Sequence, residues 1–362
     1  KCFMKFIFQF FKYSKLYIFL LILTLLNIFF STENSNAKTF SINDIELSTP
    51  FENNFNKNEI IDSGFEIAFN ELIFSIVQSK DLKKMKKIPL NQIKGMIETF
   101  SIKEEKFIGQ IYYLTLNVSF NKKIIFDLLE SKSIFPSLPI KKNFLLIPIM
   151  VDEKINQVSI FSENILYNNW NLNKKKFNLL NYILPTEDLE DFNLIKNNIK
   201  NLENYEFREI INKYNIDDYI ITIVFKNDRD IKVFNKISFN QKKILKNFKY
   251  KTIDTNNNED INKLIENLKL VYEDFWKSQN EINTSVKLPL NISIENNDNI
   301  KINKFETILS EIDLIYDYYI YKFDNRNNFY KIVFNGTPDK FLNLMRNNNF
   351  EFEIKNKIWV IQ

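Results

Sequence analysis

A chain of 362 residues with 49 basic and 45 acidic side chains, no histidine, four glycines and one cysteine excludes several chemistries at once. Without histidine there is no Ser-His-Asp triad, no His-ligated zinc and no imidazole acid/base group, and with Gly64, Gly95, Gly109 and Gly336 each isolated, no phosphate-cradling loop or dinucleotide fingerprint can be built. Lys1, Lys5, Lys12 and Lys15 against Glu33 take most of the formal charge of +4, so a nearly neutral body gives no electrostatic reason to expect nucleic acid.

The first feature in chain order is an apolar run from Leu16 to Phe30, preceded by Lys5, Lys12 and Lys15 and followed by Ser35 and Ala37 at small-residue positions. That order predicts a signal peptide over residues 1–37, cut after Ala37. As a helix the run reaches about 22 Å, short of the roughly 30 Å of hydrocarbon that a spanning helix crosses. The alternative is an uncleaved anchor over residues 5–30, the one route by which the chain would engage a membrane. Both readings export the body, to the periplasm or to its face of the inner membrane. In both, residues 1–37 are expected to make no contact with the folded body, with a helix over about 5–30 and coil to Lys38. Cys2 lies upstream of Met4, taken as the initiator, so the exported chain carries no disulfide framework and no thiol nucleophile.

The body is long enough for three α+β modules, over 38–152, 153–285 and 286–362. In the first, Phe40 and Ile42, then Ile45 and Leu47, read as a strand with a one-residue slip, and Ile61, Phe65, Ala68, Phe69, Leu72 and Ile76 recur at helical spacing. Met96 to Ser101 reads as a strand. Tyr112, Leu114, Leu116, Val118 and Phe120 alternate strictly with polar or smaller neighbours, as a half-buried strand requires. A helix over Lys122 to Ser131 and the strand "FLLIPIMV" complete a βαββαβ order.

The middle module opens with a strand over Asn178 to Leu184 and a helix from "PTEDLEDF", whose acids suit a helix N-terminus. A short helix near Phe207 to Tyr214 precedes "DYIITIVF", apolar on both faces and so expected as a central strand. "IKVFNKISF" and "KKILKNFKYKTI" follow as antiparallel strands. Ile261, Leu264, Ile265, Leu268, Val271 and Phe275 then form the clearest helix, capped by "DTNNNED".

In the last module "KLPLNISIE" reads as a strand, Ile302, Phe305, Ile308 and Leu309 as a helix face, and "YYIYKFDNRNNFYKIVF" as a hairpin. Thr337, Pro338 and Asp339 are an N-cap, a first-turn proline and a first-turn acid, and "FEFEI" and "IWVIQ" close the chain as strands. The order again is βαββαβ. The expected fold is therefore α+β, with mixed, mostly antiparallel sheets and two ferredoxin-like (split βαβ) modules flanking a middle α/β module.

Residues 38 to about 225 resemble the proteobacterial envelope proteins grouped as domain of unknown function 2066. The resemblance rests on "FEIAFNELIFSIV", on "IYYLTLNVSFNKKIIFDLLESKSI" followed by "FLLIPIMV", on "ILYNNW", and on "YILPTEDLEDF" with "INKYNIDDYIITIVF". These are packing patterns rather than catalytic signatures. The resemblance implies export and an α+β body and brings no activity with it.

No catalytic, cofactor-binding or metal-ligating residue is assigned from the sequence, and no cofactor is expected. Glu187, Asp188, Glu190 and Asp191 crowd one segment but suit a helix start. Asp254, Asn256 and Asn258 match half of a calcium loop, which then fails at Glu259 and Ile265, leaving a capping run as the better reading. Asp228 and Asp230 read as hairpin-tip residues, and Ser79 with Lys80 is too common a dipeptide to weigh. Tyr316, Tyr318, Tyr319 and Tyr321 could present a binding face, although a strand packed on its own helices explains them more simply. The expected function is that of an exported, non-catalytic binding or scaffold protein with an unidentified envelope protein as partner. The alternative is an enzyme of envelope glycans or lipids that uses paired carboxylates about 5 to 10 Å apart in a cleft between modules.

Overall fold

The computed structural model describes residues 38–362 except 53, 54, 356 and 357, so the signal or anchor over 1–37 lies outside the described residues. Three sheets organise the body. The first joins β1 (Thr39–Pro50), β2 (Ile97–Ile108) and β3 (Ile111–Asn121) in the antiparallel order β1-β3-β2. The five apolar residues of β3 that alternate in sequence are all buried, facing the apolar side of α1 (Lys57–Ile76). In β1 the register shifts between Ile42 and Ile45. Asp44 takes a φ of 60° there and gives its N–H to Asn117 Oδ1 at 3.0 Å, so a bulge keeps both Phe40 and Ile45 turned inward. Close packing of α1 on this sheet depends on Gly64, where a Cβ would sit 2.5 Å from Leu116 Cδ1 and 2.9 Å from Leu47 Cδ1. The strand expected over Met96 to Ser101 is longer, because the rest of β2 is exposed on both faces and carries no burial alternation.

After the short α2 (Leu90–Lys94) and after α3 (Lys122–Ser131), the "FLLIPIMV" strand β4 (Lys142–Asp152) does not return to the first sheet. It pairs in parallel with β7 (Tyr219–Asn227), in register from Leu145 opposite Tyr219 to Asp152 opposite Lys226. The βαββαβ order holds along the chain, but the first sheet keeps three strands and does not close as a ferredoxin-like module. A strand apolar on both faces needs two covered faces, and the middle sheet supplies them.

That middle sheet runs β5 (Gln157–Ser159), β4, β7, β8 (Asp230–Phe239), β9 (Lys242–Tyr250), with β6 (Leu180–Ile183) also beside β4. Phe144, Leu146, Ile220, Val224 and Val233 face α4 (Ile165–Asn169) and α7 (Asn258–Gln279). Leu145, Ile147, Ile221 and Ile223 face the side of α5 (Leu189–Asn197) and α6 (Arg208–Asn212). The edge strand β9 carries Lys242, Lys243, Lys246 and Lys249, a composition that discourages further strand pairing.

The third sheet contains β10 (Leu288–Glu295), β11 (Ile315–Phe323), β12 (Asn327–Phe334), β13 (Phe352–Lys355) and β14 (Ile358–Ile361), in the order β11-β12-β10-β14-β13. Helix α8 (Asn299–Glu311) connects β10 to β11. Thr337 caps α9 (Pro338–Asn347), accepting the Lys340 N–H at 3.3 Å, with Pro338 in its first turn. The β13–β14 hairpin lays β14 parallel to β10, Ile292 opposite Trp359, which departs from the expected split βαβ closure. The architecture is thus α+β with mostly antiparallel sheets.

One apolar cluster runs through the first and third sheets together. Across that junction Lys122 pairs with Asp313, Lys123 with Asp317 at 2.8 Å, and Lys287 with Glu130 at 2.9 Å, while the Tyr316 hydroxyl donates to Asp127 at 2.6 Å. Among the described residues no helix is long and apolar enough to cross a membrane.

Candidate functional site, a lysine-lined cleft secured by α7

Between the start of β1 and the segment leading into β6 lies an open cleft of about 940 Å³. One wall is Phe40 to Asp44 of β1 with Glu71, Leu72 and Ser75 of α1, and the other is the continuous segment 174–181, with Pro139, Lys141 and Asn143 below. Four exposed lysines, Lys141, Lys174, Lys175 and Lys176, face two acids, Asp44 and Glu71. Lys174 donates to Asn181 Oδ1 at 2.8 Å, and Lys176 reaches across to the Asp44 carbonyl. The two acids are driven apart in character. A hydrogen bond from Lys103 at 2.5 Å holds Asp44 below the usual carboxylate range, whereas burial raises Glu71, opposed by the charge of Lys176.

The lysine-bearing wall is not left to find its own position. Helix α7 presents Lys269, Glu273 and Lys277 one turn apart along a single buried stripe. The Lys269 ammonium donates to Asn173 O at 3.2 Å. The Glu273 carboxylate accepts the Leu179 and Leu180 N–H groups at 3.1 and 2.9 Å. The segment carrying Lys174 to Lys176 is therefore tied to α7 at both ends. Lys277 performs the same service for α1, donating to Phe74 O at 2.6 Å and Val77 O at 3.0 Å, which places a cation at the negative end of that helix. Asp274 accepts both the N–H (2.8 Å) and the hydroxyl of Ser79, and Trp276 Nε1 donates to Ile140 O at 2.7 Å. Burial raises Glu273, offset first by the Leu180 and Leu179 N–H groups and then by the charge of Lys277, and burial lowers Lys269 and Lys277, partly offset by neighbouring acids.

A second, smaller concavity of about 80 Å³ continues the cleft, sharing Lys175, Phe177 and Asn178 with it and adding Phe74, Leu82 and Leu270. Phe74 stacks on Phe177, centroids 5.0 Å apart at 27°. Phe74 and Leu270 stay 40% and 44% exposed.

The segments weighed in the sequence take structural places. Asp188 is the N-cap of α5, accepting the Glu190 N–H at 2.7 Å, and buried Asp191 pairs with Lys213 at 2.7 Å. Glu187 accepts the Ser162 N–H at 3.1 Å. Asp254 accepts the Asn256 N–H at 2.9 Å in the turn before α7, whose N-cap is Asn257. Asp228 takes a φ of 54° at the β7–β8 turn and pairs with Lys154. Tyr318 packs against the core while Tyr319 and Tyr321 are 49% and 45% exposed, so the outer half of β11 is not packed on helices. Among the described residues no group of three or more acids or cysteines could hold a metal ion. The cleft itself went unread in the sequence. Its one signal was the i, i+4, i+8 spacing of Lys269, Glu273 and Lys277 in an amphipathic helix.

Compared with models of known families and with curated proteins, the chain matches none. Among solved structures it is similar to one titled "Crystal structure of uncharacterized protein", at 7% identity over 40% of this chain and 95% of the other, with a TM-score of 0.16. A likeness that weak carries no argument about function.

Proposed function

We propose that this is an exported envelope protein that acts by binding, with the cleft between β1 and segment 174–181 as its ligand site. The observation that carries this reading is the construction of the cleft. Its volume of about 940 Å³ suits a specific ligand site, typically about 300 to 1,000 Å³, and its lysine wall is fixed in advance by α7, which lowers the ordering cost of binding. The apolar run over 16–30 and the resemblance of residues 38–225 to an envelope family support export. The reading is tested by retention of envelope-extract proteins on the full chain and on a Lys174→Glu/Lys176→Glu variant, with light scattering to follow complex size. Retention that the variant loses supports it. A monomer that retains nothing at micromolar concentration counts against it.

A further inference from the structure

Resting on the cleft as the ligand site, the geometry points to its ligand as an extended peptide segment that carries several acidic residues and one aliphatic side chain as anchor. Three features of the cleft combine to select that chemistry. First, the large part is lined by Lys141, Lys174, Lys175 and Lys176 with asparagines between them, against the two acids Asp44 and Glu71, so that its net charge is positive and its spaced ammonium groups can each donate a charge-assisted hydrogen bond to a ligand carboxylate. Second, the small part has an apolar patch of Phe74, Leu82, Phe177 and Leu270, of which Phe74 and Leu270 are exposed, rimmed by Lys175, Lys269 and Lys277 and by Glu266 and Glu273. Its volume of about 80 Å³ is roughly half that of a cavity of about 150 Å³ that accepts benzene. It accommodates one aliphatic side-chain tip and is far too small for an acyl chain, which argues against a lipid. Third, the two parts share Lys175, Phe177 and Asn178, so one continuous ligand can fill both. A single apolar anchor flanked by charge is the pattern in which a few buried groups carry most of the affinity while charge sets rate and selectivity. An anionic glycan offers the charge without the anchor.

The test is fluorescence anisotropy of the full chain with a labelled Asp-Glu-Leu-Glu-Asp peptide. Controls are the neutral Asn-Gln-Leu-Gln-Asn peptide and an anchorless Asp-Glu-Ala-Glu-Asp peptide, with polygalacturonate and vesicles containing phosphatidylglycerol as competitors. Saturable binding is expected, at least tenfold weaker for either control peptide and at least tenfold weaker for Lys174→Gln/Lys176→Gln or for Leu270→Asp. All three positions are exposed, so folding is retained, and circular dichroism verifies it. Equal affinity for the neutral or anchorless peptide, or displacement by polygalacturonate or vesicles in preference to the peptide, overturns the assignment. If the lysine variants abolish retention of envelope proteins while the peptide does not bind, the peptide assignment fails and the cleft stands as a site. If the variants change neither retention nor peptide binding, the cleft fails with it.

Discussion

Replacing Lys277 with methionine keeps most of the buried stem and removes the ammonium that closes α1. Lost are two charge-assisted hydrogen bonds, at 2.6 Å to Phe74 O and 3.0 Å to Val77 O, each of a kind that contributes about 1.5 to 3 kcal/mol. The favourable placement of a cation at a helix C-terminus, up to about 2 kcal/mol when partly buried, goes with them. Against this stands the cost of burying the ion, visible in the downward shift of Lys277, from which methionine is exempt. Breaking a buried charge arrangement by removing one member costs about 3 to 5 kcal/mol, and with the desolvation relief the net loss should be about 3 kcal/mol. In a body of this size that lowers the melting temperature by roughly 4 to 5 °C. Glu273, four residues earlier, is coupled to Lys277 by charge, so Glu273→Gln/Lys277→Met should lose less than the sum of the single variants. Urea and thermal unfolding of the four proteins read this directly. A Lys277→Met protein within 0.5 kcal/mol of the parent, or strict additivity of the pair, would refute the assignment of α7 as the element that secures the cleft walls.

Tyr272→Phe removes the hydroxyl shared with Thr222 at 2.7 Å and with Asn235. Their buried oxygens lose that partner, and stability should fall by about 1 to 3 kcal/mol, with Thr222→Val recovering part of the loss. Burial, with a hydrogen bond to Glu105, pushes Tyr112 up to about 12 from 10.0. A raised folded pKa gives stability that is whole below pH 10.0 and is lost as pH rises through about 12, so Tyr112→Phe should flatten that part of the alkaline limb in far-UV circular dichroism. Asp188 is lowered from 3.8, first by Lys213. Its contribution is present above pH 3.8 and lost as pH falls below it, and Asp188→Asn, which keeps a cap, should flatten that part of the acid limb in far-UV circular dichroism. Gly64→Val forces branched methyls against Leu116 and Leu47 and should cost about 1 to 3 kcal/mol through overpacking, read in the same unfolding assays.

Elements whose burial is one-sided were the most legible in the sequence. The alternation of β3, the slip in β1 that became the Asp44 bulge, the Lys122 to Ser131 helix and the Thr337 cap all follow from local pattern and local hydrogen bonding. Strand affiliation was not legible. The two apolar faces of β4 state that it must be covered twice, and nothing in "FLLIPIMV" says by which sheet. The parallel placement of β14 likewise turns on a hairpin between two four-residue strands, too short to reveal direction. In α7 the roles of Lys269, Glu273 and Lys277 were not legible, because their partners are backbone groups about 90 to 200 residues away. The cleft stayed hidden for the same reason, its walls meeting at Lys176 and Asp44, which are 132 positions apart.

The central claim, that the cleft is where this protein meets its ligand, is tested most directly by a photoreactive phenylalanine analogue at Asn181 in the full chain, cross-linked in intact cells. The control position is Leu245 on β9, which is 58% exposed and outside the cleft. The account predicts a discrete adduct from Asn181, lost with Lys174→Glu/Lys176→Glu, and none from Leu245. No adduct at Asn181, or the same adduct from both positions, would contradict it.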